Sequence, residues 1–142
     1  LPHKTDAGTG SLEQMTLAEF CKNNFNTHIK TLRLELKNKS NAMCNAIDKY
    51  FGSSADYIKP DGGIFIWINM PKNIDTSRLY DLALKQGVAI NPGSEWSINE
   101  NGRHKIRLCF GNPSALEIDE GIKLLAQICQ KEFGVPIQIA NL

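Results

Sequence analysis

From Ser11 to Phe51 the chain contains neither glycine nor proline, and apolar residues recur at Phe25, Ile29, Leu32, Leu36, Met43, Ile47 and Tyr50. These intervals of 4, 3, 4, 7, 4 and 3 follow the helical repeat, which commits the stretch to helix. Asn23, Asn24, Asn26 and Thr27 compete for backbone hydrogen bonds within it, and they predict a kink or restart near Asn24. The expectation is two helices, the second unusually long. Average helices run about 11 or 12 residues, so one near twice that length predicts a bridge toward a second body outside the chain. The opening Leu1–Pro2, without an initiating methionine, likewise reads as part of something longer.

Gly52, Ser53 and Ser54 stop the helix, and Tyr57 with Ile58 begins a short strand before the turn Pro60, Asp61, Gly62, Gly63. Ile64 to Ile68 is β-branched and aromatic, too short for a helix and apolar on both faces, which predicts a buried strand. Asp75 caps a helix with Leu79, Leu82 and Ala83 on one face, ended by Gly87. Val88 to Ile90 is read as a strand stopped by Pro92 and Gly93, and Lys105 to Phe110 as an alternating strand. Ser114 to Glu117 has the pattern of a capping box, opening a last helix whose buried face is Ile118, Ile122, Leu125 and Cys129. Gly134 and Pro136 end it, and Ile137 to Leu142 form an apolar tail. The fold class is α+β: long N-terminal helices, then a small, mainly antiparallel sheet with helices packed on one side.

With 142 residues, 16 basic and 15 acidic side chains and a net charge of +1, the chain lacks the basic excess of a direct nucleic-acid binder. The longest apolar run, Ile64 to Ile68, falls far short of the roughly 20 residues a bilayer helix needs, so a membrane partner is not expected and a cytoplasmic protein is. Cys21, Cys44, Cys109 and Cys129 lie far apart and read as reduced core residues, and His3, His28 and His104 are too scattered to suggest a metal.

One residue stands out. Arg107 alternates with Ile106, Leu108 and Phe110, which places it on the opposite strand face from three apolar side chains. The planar guanidinium matches a carboxylate through two parallel hydrogen bonds, so Arg107 is either an anchor for an acidic ligand or a solvent-facing arginine beside Lys105. Gly62 and Gly63 permit close backbone approach but also serve a hairpin turn. The loop Pro92, Gly93, Ser94, Glu95, Trp96 is read first as a turn. Asp119 and Glu120, in the first turns of the last helix, read as a solvated face. No catalytic residue is assigned.

The order of these pieces resembles the C-terminal region of fold type I pyridoxal-phosphate-dependent aminotransferases of the aminoadipate, kynurenine and regulator-like branch. The resemblance runs through Thr9 to Gln14, His28 to Leu32, Lys39 with Met43, Gly62 to Trp67 with Pro71, Asp75 with Thr76, Gly87 to Ala89, Pro92 to Ser94, Arg107 to Phe110 and Asn112 to Ser114 with Ile118 and Gly121. It implies a helical connecting region over residues 1–55, leading toward a large domain, and a small domain over 56–142. It also implies that Arg107 binds the α-carboxylate of an amino acid or 2-oxo acid substrate, with Gly62, Gly63 and Pro92 as further substrate-site candidates, and that the parent protein is a homodimer. The cofactor lysine of such proteins lies in a Ser-x-x-Lys-like segment, and no serine here is followed by lysine at that spacing. The implied pyridoxal phosphate is therefore expected to be held outside this chain, which alone is expected to be inactive.

Overall fold

A computed structural model describes residues 10–97 and 102–138. The first helix, α1, runs unbroken over Ser11–Phe51, 41 residues, so the expected break near Asn24 does not occur. Of the polar side chains expected to compete for the backbone, Asn24 turns back onto its own helix, as two threonines elsewhere in α1 do. Asn24 Nδ2 donates to the Phe20 carbonyl at 3.1 Å, and the Thr16 and Thr31 hydroxyls donate to Leu12 and Thr27 at 2.9 and 3.3 Å. Each bond reaches a carbonyl four residues earlier and leaves the main-chain ladder intact.

The chain divides into two units, Leu1–Glu35 and Leu36–Leu142. In the first, none of the described residues is buried, and Leu12, Met15 and Leu17 are 74%, 70% and 62% exposed. Phe25 and Leu32, which carry the periodic apolar stripe through this unit, also remain exposed. In the second unit the end of α1 gives Met43, Ala46, Ile47, Tyr50 and Phe51 to the core.

The sheet in this second unit has four strands: β1 (Asp56–Tyr57), β2 (Phe65–Asn69), β3 (Asn91–Pro92) and β4 (Lys105–Cys109). Their order is β1-β2-β4-β3, and every neighbouring pair is antiparallel. The turn before β2 puts Gly63 at φ +78, a left-handed conformation that glycine adopts without steric cost. Val88 to Ile90 does not form the expected strand. The Val88 N–H is committed to the Ala83 carbonyl at 2.9 Å, closing the preceding helix, and the ladder begins only at Asn91.

Two further helices, α2 (Thr76–Leu84) and α3 (Ala115–Phe133), complete the architecture. The Asp75 carboxylate accepts from the Ser77 and Arg78 amides, and Ser114 with Glu117 forms the reciprocal capping box expected for α3. Gly134 ends α3 at φ +66. Ile118, Ile122, Leu125 and Cys129 are all buried as the periodicity indicates, against Leu79 and Ala83 of α2 and the core face of the sheet. The start of the C-terminal tail is fixed by the Gln138 amide donating to the Tyr50 carbonyl at 3.0 Å. Residues 139–142 lie outside the described part.

Two readings of surface chemistry change. Asp119 is not merely solvated: it accepts from the Tyr50 hydroxyl at 2.8 Å and pairs with Lys49 at 3.1 Å, joining α3 to α1. Cys44 and Cys129 are buried, but Cys109 is exposed, because it lies on the face of β4 turned away from the helices.

Candidate functional site: the open face of the sheet

The β2–β4 ladder pairs Phe65 with Cys109, Ile66 with Leu108, Trp67 with Arg107 and Ile68 with Ile106. Because side chains alternate across a strand, Ile66, Ile68, Ile106 and Leu108 share the face under the helices. Phe65, Trp67, Arg107 and Cys109 share the other. The expectation that β2 is buried on both faces is thereby corrected: Phe65 and Trp67 stay 38% and 42% exposed. Among the described residues of this unit, the helical layer covers one side.

Arg107 stands on this open face, half-buried. Its guanidinium carbon lies 3.7 Å from the centroid of the Trp96 ring and 4.2 Å from that of Phe65. Phe65 reaches it as the diagonal neighbour on the adjacent strand. Trp96 comes from the 3-10 turn Gly93–Trp96, which follows β3 directly. The Arg107 Nε is shut off from solvent and has no hydrogen-bond partner among the described residues. Nor does any described carboxylate pair with this guanidinium.

The turn carrying Trp96 is set by backbone contact. A Cβ added to Gly93 would sit 2.5 Å from the Gly102 carbonyl oxygen, and one added to Gly102 would strike the Gly93 carbonyl in return. Both positions therefore exclude side chains. Pro92 is buried at φ −60 and enters this turn, opposite Ile106 in the ladder, while Asn91 is the residue opposite Arg107. Gly62 and Gly63 are different: nothing lies within 4 Å of a Cβ built on either. The left-handed turn conformation accounts for glycine at Gly63. The structure brings Pro92 near Arg107 through β3.

A groove of about 490 Å³ opens on the same face, lined by Ile58, Pro60, Phe65, Trp67, Trp96 and Lys105 among others. A larger cavity of about 590 Å³ lies elsewhere, between α3 and the segment before β3. Glu117 and Glu120 stand on its rim, so it presents negative charge where an acidic ligand needs positive.

Trp96 and Phe65 are the site residues that sequence reasoning missed. Alternation would have placed Phe65 and Trp67 on one face had β2 not been taken as apolar throughout. The approach of Trp96 depends on the glycine contact between two loops, for which no periodic signal exists.

Helix N-termini are natural phosphate cradles, but at the start of α2 the Ser77 and Arg78 amides donate to Asp75, and at the start of α3 the Glu117 amide donates to Ser114. Lys39 is likewise committed, donating to the Gly111 and Asn112 carbonyls at 3.1 and 3.2 Å.

No family model matches the chain. It is 34% identical over 130 residues to an uncharacterized aminotransferase of Saccharolobus solfataricus, covering 91% of this chain and 32% of that protein. Its fold superposes on the α-aminoadipate aminotransferase LysN of Thermus thermophilus, solved with a phosphopyridoxyl-leucine conjugate, at a TM-score of 0.81 and 28% identity, over 88% of this chain and 32% of LysN. In sequence and fold the chain is similar to one segment of fold type I aminotransferases. Its relatives also include the HTH-type transcriptional regulator NorG of Staphylococcus aureus, 36% identical over 120 residues, which are 83% of this chain and 26% of NorG. The chain therefore spans about a third or less of the relatives it matches, 32% of the first two and 26% of NorG.

Proposed function

We propose that the chain is the carboxylate-binding segment of a pyridoxal-phosphate-dependent aminotransferase, with Arg107 receiving the carboxylate of an amino acid or 2-oxo acid. The observation that carries this reading is the Arg107 guanidinium, held on an open sheet face against two rings with no carboxylate partner among the described residues. An arginine so placed offers a planar fork to a carboxylate, which a lysine cannot match. Residues 1–55 then lead toward the large domain and 56–142 form the small one. The cofactor lysine and the phosphate cradle are supplied from outside the chain, the working protein is a cytoplasmic homodimer, and the segment alone does not transaminate.

The test is Arg107→Ala in the full-length protein. Hydrogen bonds to charged groups contribute about 1.5–3 kcal/mol, so KM for amino acid and oxo acid alike should rise about 10- to 100-fold. Arg107→Lys should not restore it. Unchanged kinetics would remove the role.

The 36% identity to NorG supports a second reading, a ligand-sensing domain of a transcription regulator. In that case the full-length protein binds DNA with an affinity that an oxo acid changes, and Arg107→Ala abolishes the change. A full-length protein that transaminates and binds no DNA excludes it.

A further inference from the structure

Trp96 is 56% exposed and takes no part in the hydrophobic core, yet its ring lies 3.7 Å from the Arg107 guanidinium carbon. Core packing does not explain where this side chain sits; the contact with Arg107 does. Phe65 adds a second ring at 4.2 Å, and the excluded side chains at Gly93 and Gly102 fix the turn that delivers Trp96. A free arginine side chain samples many rotamers, and ordering it costs part of the affinity gained from each hydrogen bond. Rings packed against the guanidinium remove much of that freedom while its terminal amino groups, rather than the buried Nε, remain the donors for a ligand.

We propose that Trp96 and Phe65 are positioning residues, which hold the Arg107 guanidinium between their rings so that its terminal amino groups are ready for a carboxylate. This rests on the reading that Arg107 binds the substrate carboxylate. Trp96 acts through Arg107, so its removal weakens all carboxylate ligands equally, whatever their side chain. Without Arg107 its removal has no effect.

The experiment is a double-mutant cycle in the full-length protein, following calorimetric binding of pyruvate and phenylpyruvate, two oxo acids with very different side chains. Trp96→Leu should weaken both by a similar factor, about tenfold for loss of a stacked cation partner. Trp96→Phe, which keeps a ring, should return both to within about twofold, and Phe65→Leu should give a smaller, equally uniform loss. In the Arg107→Ala background, Trp96→Leu should change neither affinity. A loss that differs between the two acids would mean that Trp96 touches the ligand side chain, and a loss that persists without Arg107 would mean that it acts independently; either overturns the positioning role. If Arg107→Ala itself binds both acids as wild type does, the carboxylate assignment fails first, a result distinct from a silent Trp96→Leu beside a defective Arg107→Ala.

Discussion

The two faces of the β2–β4 ladder are built from alternate residues of the same two strands, and they differ in almost every property. On one, Ile66, Ile68, Ile106 and Leu108 are at most 5% exposed and join a core that spans all three helices. On the other, Phe65, Trp67, Arg107 and Cys109 carry rings, a charge and a thiol that remain reachable. The first face holds this unit together and the second leaves polar and aromatic side chains on its surface. The contrast sets buried and reachable side chains at positions one residue apart.

Ile106→Ala should break the comparison most severely. Removing a fully buried isoleucine leaves a cavity under the helices, costing about 2–5 kcal/mol in chemical denaturation. A change under about 1 kcal/mol would show that this face is not the structural one. The next contrast is in thiol reactivity. Burial pushes the Cys129 thiol up to about 12, whereas Cys109 is exposed on the open face. Under native conditions near pH 8, an alkylating reagent followed by peptide mapping should modify Cys109 and leave Cys129 intact until the chain unfolds.

A smaller effect concerns the helices that cover the core face. The hydrogen bond from Tyr50, with the Lys49 ammonium, holds the Asp119 carboxyl below its ordinary value. Its ionised form therefore stabilises the fold above the unfolded pKa of about 3.9, and that contribution disappears as pH falls through the folded value. Asp119→Asn should flatten the stability profile below about pH 4 and leave its slope near neutrality unchanged, as read by thermal melts across pH. The smallest change is expected from Trp67→Thr on the open face: below about 1 kcal/mol, because the ring is already partly in water. A loss as large as that of Ile106→Ala would mean that the open face too is structural.

Much of this was legible in the sequence because it rests on local rules. Asp75, Ser114 and Gly134 mark helix ends through chemistry confined to one turn, and the period of Ile118, Ile122, Leu125 and Cys129 names the buried side of α3. Alternation around Arg107 found the open face of β4. The failures share a different cause. Asn24 was expected to interrupt α1, but its amide has an equally good acceptor within the helix. Val88 to Ile90 has strand composition, yet its first amide is needed to finish α2. Ile64 to Ile68 looks doubly buried because composition cannot reveal that the described helices of this unit cover one side. Trp96 reaches Arg107 only through contact between loops nearly ten residues apart, which no window of sequence displays.

Gly93 and Gly102 give that contact an unusual sensitivity to change. Most positions of a surface loop accept substitution freely, but here the smallest possible addition, a single methyl group at either glycine, meets the other's carbonyl and must pry the two strands of chain apart. The core lies elsewhere and would survive. What would be lost is the alignment of one indole with one guanidinium, so variants at these glycines should fold and persist while recognising acids poorly, a defect that a screen for stability would pass unnoticed.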